Sequence, residues 1–136
     1  MPSIAGKYRH YKNENIDEYF TAVGVPFIGR KMMSMSSPLM EITLDGDTMN
    51  IKSSSLLKTI EHTFTLGEEY EERMPNSIIK SVTTIINDNE IETKSTILEN
   101  GQKCGRHYLF TDEECIVTLT HERATVVGKR YFRRVQ

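Results

Sequence analysis

The clearest structural pattern in the chain is the stretch Ile60-Glu-His-Thr-Phe-Thr-Leu-Gly-Glu-Glu-Tyr-Glu-Glu72. Apolar and polar residues alternate from Ile60 to Leu66, which predicts a β-strand with one face turned inward. Leu66-Gly67 then supplies a turn, and an acidic run follows it. His62 lies on the otherwise apolar face. A dry core tolerates few such groups, so this face suits a barrel that encloses water and a ligand.

Turn signals of the same kind recur about every ten residues from Pro38 onward. They are Asp45-Gly46-Asp47, Leu66-Gly67, Pro75-Asn76-Ser77, Asn87-Asp88-Asn89, Asn100-Gly101 and Thr111-Asp112-Glu113-Glu114. Of the 136 residues, 34 are β-branched, whereas alanine occurs three times, and this balance favours strands. The chain is predicted to be mostly β, an antiparallel meander of roughly nine or ten strands. A sheet of that size closes into a barrel or splits into two, and half-exposed sandwich strands would give a similar pattern.

Two helices are predicted before the meander. Asn15 precedes acidic residues and an apolar 3–4 spacing that ends at Gly24, which are start and stop signals for a first helix. A second helix follows Pro26 and runs from Phe27 to Met35. Pro38 ends it before the next strand begins.

Composition limits the class of protein. A length of 136 residues predicts one domain over 1–136. The net charge of −2 argues against a general nucleic-acid binder. With glycine counted in place of tyrosine, the apolar fraction is about 40%, below the roughly 45–50% of solid domains. The chain shows no signal peptide and no apolar run of membrane-spanning length, so a soluble intracellular protein is expected.

No catalytic or metal signature is present. Cys104 and Cys115 lack zinc-type spacing and indicate neither a disulfide framework nor a metal site. The sequence contains no nucleophile elbow, zinc-protease, P-loop or dinucleotide motif. We therefore expect a protein that is not an enzyme and that carries neither a metal nor a cofactor.

A family resemblance extends over nearly the whole chain. The motifs that carry it are Gly6-Lys7-Tyr8, Asn15-Ile-Asp-Glu-Tyr-Phe20, Val23-Gly24-Val25, Arg30-Lys31-Met32, Met35, Pro38, Asp45-Gly46-Asp47, Lys58, Phe64 to Glu72, Ile79-Lys80-Ser81 and Thr118-Leu119-Thr120-His121. Together they resemble the intracellular lipid-binding proteins, the fatty-acid-binding branch most of all. The resemblance implies a ten-stranded antiparallel β-clam, or barrel, of the lipocalin-like type. It also implies a two-helix lid inserted after the first strand, over a cavity that binds a fatty acid.

In that family an Arg on a late strand and a C-terminal Arg-x-Tyr pair hold the ligand carboxylate. Here the resemblance assigns the C-terminal pair to Lys129 and Tyr131, with Arg130 facing inward as the alternative. Lys129 would keep the charge but lose the planar bidentate fork of arginine. When the chain is matched to the family without a gap, the position of the late-strand Arg falls on Tyr108. Arg106 lies two residues earlier, on the same face of that strand. We favour Arg106 as the cation, with Tyr108 lining the cavity and His121 as a further candidate.

The resemblance also implies a set of cavity and portal residues that contact the apolar tail. They are Ile16, Tyr19, Phe20, Val23, Met35, Pro38, Met40, Ser53, Leu57, Pro75, Asn76, Val117 and Leu119. Arg30 and Lys31, on the predicted second helix, are expected to meet anionic membranes transiently during ligand transfer.

These features predict a monomeric cytoplasmic carrier that binds a long-chain fatty acid or similar lipid without covalent attachment, and nuclear entry is left open. A retinoid or other hydrophobic ligand carried by the same fold is one alternative, although cations at Arg106 and Lys129 favour an acid over an alcohol. The alternative of another class is a ligand-free barrel that acts as a protein-interaction module.

Overall fold

The computed structural model describes residues 4–56, 58–74 and 77–135. Ten strands and two helices make up the secondary structure of these residues. The strands are β1 (Gly6–Glu14), β2 (Leu39–Asp45), β3 (Thr48–Ser54), β4 (Thr59–Thr65), β5 (Tyr70–Met74), β6 (Ser77–Asn87), β7 (Glu90–Ile97), β8 (Lys103–Phe110), β9 (Glu114–His121) and β10 (Gly128–Val135). The helices α1 (Ile16–Ala22) and α2 (Phe27–Met35) lie between β1 and β2.

All ten strands belong to one antiparallel sheet with the order β4-β3-β2-β1-β10-β9-β8-β7-β6-β5. Each strand therefore pairs with the next along the chain, except that β4 does not pair with β5 and that β1 also pairs with β10. β4 and β5 stand at the two ends of this order, and the rings of Phe64 and Tyr70 stack across that gap with centroids 4.1 Å apart. The sheet thus forms a nearly closed barrel, which confirms the predicted mostly-β clam with its lid after the first strand.

Local sequence signals explain the turns and helix limits. Gly46 and Gly67 adopt φ values of 61° and 79°, a left-handed conformation that strains other residues, and they occupy two of the predicted turns. The prediction for α2 is confirmed at both ends. α1 ends at Ala22 with Val23 as its C-cap, and Gly24 follows with a φ of 90°, which confirms the predicted stop signal. The side chain of Asn15, in contrast, makes no capping hydrogen bond.

The lid is fixed to the barrel by α1. A Cβ placed on Gly128 would lie 3.1 Å from both Ile16 Cδ1 and Tyr19 Cβ, so a larger residue here would force α1 away from β10 by a few tenths of an ångström. The Tyr19 hydroxyl donates to the carbonyl of Thr120 at 3.0 Å. Arg30 in α2 joins the two helices through an ion pair with Asp17 at 3.0 Å.

One part of the barrel interior is packed with side chains. Tyr8, Met49, Ile91, Phe110 and Cys115 are fully buried there. The rings of Tyr8 and Phe110 lie 5.6 Å apart. Within the described residues, neither helix has the length and apolar character needed to cross a bilayer.

Candidate ligand-binding cavity

A cavity of about 380 Å³ occupies the barrel interior, within the usual range of small-molecule sites. Its wall is largely apolar. Six of the residues predicted to line the cavity do line it: Tyr19, Phe20, Met40, Ser53, Val117 and Leu119. Polar groups interrupt the wall at a few points, and two of them are arginines, Arg106 and Arg130. The chemistry of the cavity therefore depends on how these two cations are paired.

Arg106 in β8 is held by a buried carboxylate. Its Nη2 lies 2.6 Å from Oε1 of Glu72, its Nη1 lies 3.4 Å from Oε2, and its Nε donates to the Tyr108 hydroxyl at 3.1 Å. The Glu72 side chain is only 4% exposed and that of Arg106 26%. Burial alone would raise the pKa of Glu72, but the charge and hydrogen bonds of Arg106 outweigh it and hold the pKa below its usual value. The positive charge of Arg106 is thus already balanced by the carboxylate of Glu72.

Hydroxyl groups complete the surroundings of Glu72. Ser81 Oγ donates to Glu72 Oε2 at 2.9 Å and also contacts Ser95 Oγ at 2.8 Å. Two further buried hydroxyls, those of Thr83 and Thr93, form a neighbouring pair at 2.7 Å. The carboxylate therefore keeps its charge inside the barrel with its acceptor sites satisfied, as a stable buried ion pair requires.

Arg130 in β10 is held differently. Its Nε donates to Asn13 Oδ1 at 3.2 Å and its Nη2 to the carbonyl of Ser36 at 3.0 Å. Both acceptors are neutral, and no salt bridge to Arg130 is found within the described residues. Burial lowers the pKa of Arg130, with no opposing attraction from an anion. Arg130 is half-buried, and a cation that is partly removed from water without a counter-charge is costly, so this site favours the arrival of an anion.

The structure corrects the expected inward orientation of Lys129 and Tyr131. Tyr131 lies on the outer face, where its hydroxyl donates to Glu14 Oε1 at 3.2 Å and the Lys12 ammonium sits 4.8 Å from its ring centroid. Lys129 precedes Arg130 and faces away from the cavity wall. The reason is the position of Gly128, which must face inward beneath α1. Strand alternation then turns Arg130 and Phe132 inward, so the C-terminal pair has a guanidinium but no phenol hydroxyl.

The remaining candidate residues are spread more widely. Tyr108 lines the cavity beside Arg106. His121 does not line it, and its Nδ1 accepts from the backbone N–H of Arg123 at 3.0 Å. Predicted lining residues that lie off the cavity wall are Ile16, Val23, Met35 and Pro38. Met35 is 75% exposed, whereas Ile16 is buried between α1 and β10. Leu57, Pro75 and Asn76 fall outside the described residues.

Glu72 is a polar cavity residue that the sequence analysis did not single out, because runs of acidic residues are usually exposed to solvent. Its neighbours Glu69 and Glu71 are indeed exposed. Glu72, however, follows Tyr70 at the two-residue spacing of one strand face, and both side chains turn toward the interior. This two-residue spacing is the sequence signal that would have placed Glu72 on the inward face of the strand.

Comparisons with known proteins agree with this architecture. The family model described as "Lipocalin / cytosolic fatty-acid binding protein family" matches residues 5–87. A fatty acid-binding protein of Tyrophagus putrescentiae is 34% identical over 135 residues, covering 98% of this chain and 99% of the relative. Cellular retinoic acid-binding protein 1 of Gallus gallus is 35% identical over 123 residues, covering 88% and 90%. The solved structure named "REP1-NXSQ fatty acid transporter" superposes with a TM-score of 0.85 at 30% identity, covering 98% of this chain and 96% of that one.

The family match covers more than half of the chain, and the two relatives align over 99% and 90% of their own lengths. The chain belongs to the lipocalin and cytosolic fatty-acid binding protein family.

Proposed function

We propose that this protein is a monomeric cytoplasmic carrier that binds one long-chain carboxylic acid without covalent attachment, with Arg130 as the cation for the carboxylate. The observation that carries the proposal is the Arg130 guanidinium on the cavity wall, whose partners Asn13 and Ser36 are both neutral. Arg106 is the less suitable anchor because Glu72 already neutralises it. Its role is to hold Glu72 and to order the polar part of the wall.

The apolar wall supplies most of the binding free energy. Burial of about 0.8 kcal/mol per CH₂ gives a gross gain on the order of 12 kcal/mol for a sixteen-carbon chain. The ordering of the ligand and of the lid reduces this value. The carboxylate adds less net affinity, but it selects for acids, since a neutral ligand leaves the Arg130 charge uncompensated.

A retinoid acid is the second candidate ligand, and the 35% identity to a cellular retinoic acid-binding protein favours it. Such a ligand also joins one carboxylate to a long apolar body, so the same cation would receive it. A ligand-free interaction module is disfavoured by the half-buried Arg130, because removing a charge from water without a counter-charge costs stability that a bound anion would offset.

The outer face of α2 supports transient contact with membranes. None of the residues of this helix is buried, and Phe27, Ile28 and Met35 are 64%, 73% and 75% exposed. Lys31 stands on the same helix and is exposed. Arg30, by contrast, already donates hydrogen bonds to Asp17 and to the Val25 carbonyl. Of these two cations, Lys31 is therefore the one that would attract an anionic membrane. Apolar side chains beside a cation suit the interface of an anionic bilayer.

The ligand proposal is tested by displacement of a fluorescent fatty acid from delipidated protein. Oleate, retinoic acid and oleyl alcohol serve as competitors, with wild type, Arg130→Gln and Arg133→Gln as proteins. Arg133 lies on the same strand but faces solvent, where its guanidinium covers the Tyr11 ring at 4.1 Å. Loss of a charge-assisted contact of about 1.5–3 kcal/mol should weaken oleate binding by about 10–150-fold in Arg130→Gln. Oleyl alcohol binding and the Arg133→Gln control should stay unchanged.

Two results would contradict the proposal. One is failure of both oleate and retinoic acid to displace the probe from wild type. The other is an Arg130→Gln variant that keeps its preference for the acid over the alcohol.

The membrane contact is tested by transfer of the fluorescent ligand to vesicles that contain anionic lipid. Lys31→Glu should slow transfer, and the deficit should disappear with neutral vesicles or at high salt. The control is Lys94→Glu on β7, a strand outside the lid, whose side chain is 82% exposed. Equal transfer by Lys31→Glu and wild type would exclude the electrostatic contact.

A further inference from the structure

The two edges of the Arg130 guanidinium have different surroundings. The side-on edge, formed by Nε and Nη2, donates to Asn13 Oδ1 and to the carbonyl of Ser36. Within the described residues, no acceptor is found for Nη1. The end-on pair Nη1 and Nη2 is therefore the edge that remains for a carboxylate, and two parallel hydrogen bonds on one edge are the favoured arginine–carboxylate geometry.

Asn13 reaches Arg130 because of an irregularity in β1. The pairing of β1 with β10 shifts register between His10 and Lys12, so that His10 lies opposite Phe132 and Asn13 lies opposite Arg130. Residues three apart would otherwise point to opposite faces of the sheet. The shift thus brings the Asn13 amide beside the guanidinium.

Asn13 is itself held by a buried histidine. His10 Nε2 lies 2.6 Å from the same Asn13 Oδ1 and acts as a donor to it, since an amide oxygen can only accept. The ring packs edge-on against Phe132 with centroids 5.5 Å apart. A neutral amide oxygen orients the guanidinium without cancelling its charge, which an aspartate at this position would do.

The second acceptor belongs to the lid. Ser36 caps the C-terminus of α2, where its backbone N–H donates to the Met32 carbonyl at 3.0 Å while its own carbonyl accepts from Arg130. Carbonyl groups at this end of a helix carry the negative part of the helix dipole. The seating of the lid and the orientation of the cation are therefore linked through one hydrogen bond.

We propose that Asn13 and the Ser36 carbonyl are a positioning pair, which fixes the side-on edge of Arg130 so that its end-on edge meets the ligand carboxylate. The proposal rests on the proposed function, since Arg130 must be the carboxylate anchor. Because coupling free energies are reciprocal, an acid ligand also holds the C-terminus of α2 on the barrel, which a neutral ligand of the same chain length does not do.

The test compares the affinities of oleate and oleyl alcohol in Asn13→Ala, Asn13→Asp and wild type. Asn13→Ala should weaken oleate binding by about 5–20-fold without changing that of the alcohol, whereas a general loss of structure would weaken both. Asn13→Asp should weaken oleate binding at least as much, because its carboxylate competes for the cation. Asn50→Ala is the matched control, since Asn50 bonds Glu61 and Thr63 on an exposed surface.

Hydrogen exchange of the Ser36 amide supplies a second measurement on wild type and Arg130→Gln. Oleate should slow this exchange more than oleyl alcohol in wild type, and the difference should vanish in Arg130→Gln. The positioning proposal is overturned if Asn13→Ala keeps the wild-type ratio of acid to alcohol affinity while Arg130→Gln loses it. If Arg130→Gln also keeps that ratio, the proposed function itself fails.

Discussion

The buried pair of Arg106 and Glu72 allows a sharp prediction about stability. Arg106→Met leaves the Glu72 carboxylate, 4% exposed, with Ser81 as its remaining donor among the contacts described above. Breaking a buried ion pair from one side costs about 3–5 kcal/mol, a large share of the 5–15 kcal/mol that stabilises an ordinary domain. With a urea dependence of about 1.5–2 kcal/mol per molar, the unfolding midpoint should fall by about 1.5–3 M.

The pH dependence of the same variant should reverse in sign. In wild type the pKa of Glu72 is lowered by Arg106, so its stabilising contribution is complete above the unfolded value of 4.5 and is lost as the pH falls through the folded value. Without Arg106, burial dominates and raises that pKa. The variant should then lose stability as the pH rises from about 5 to 7, whereas wild type should not lose it through this group.

The assay is urea unfolding of delipidated protein between pH 5 and 8, because bound ligand would add stability of its own. Arg106→Met combined with Glu72→Leu should recover most of the loss, since replacing both partners of a buried pair is often neutral. Arg130→Gln is the comparison within the same cavity, and it should change stability by about 1 kcal/mol or less because no counter-charge is left behind. A loss below about 1 kcal/mol in Arg106→Met, with an unchanged pH profile, would refute the reasoning.

Three further predictions concern other parts of the molecule. Burial lowers the pKa of His10, so stability present above pH 6.5 should decline as the pH falls below it, and His10→Gln should flatten the change in urea midpoint between pH 7 and 5. Gly128→Ala places a methyl group against Tyr19 and should lower the free energy of unfolding by about 1–3 kcal/mol, measured by thermal unfolding. It should also speed ligand release, measured by stopped-flow fluorescence. Unchanged values in both assays would contradict the close packing of α1 on β10. Burial raises the pKa of both thiols, so iodoacetamide at pH 8 should modify them slowly, and oleate should protect Cys104 on the cavity wall while leaving Cys115 unaffected.

Much of the fold could be predicted from local chemistry. Glycine turns, proline boundaries and β-branched composition each depend on a few neighbouring residues, and the limits of α2 between Pro26 and Pro38 illustrate this. Closure of the sheet is different, since strand spacing alone fits a sandwich as well as a barrel. Only the resemblance to a lipid-binding family indicated the clam and its lid.

The site was harder to predict because strand faces alternate with every residue. A shift of one residue in β10 exchanges Lys129 and Tyr131 for Arg130 and Phe132, and the length of the preceding loop does not fix that choice. Gly128 was the available signal, because a small residue opposite a lid helix marks the inward face. The partner of a cation is still harder to predict from sequence. Arg30 and Asp17, for example, lie on different helices and come together only in the folded molecule.

The pairing of β1 with β10 has a consequence for how the chain folds. Partners such as His10 and Phe132 are about 120 residues apart in sequence, so joining them costs on the order of 4 kcal/mol in loop-closure entropy unless intervening hairpins form first. Such non-local pairing slows folding, and the transition from open sheet to barrel is expected to be a late event. Asn13 and Arg130 lie on the two strands that meet in this step. During synthesis on the ribosome, carboxylate binding should therefore be among the last properties that the protein acquires.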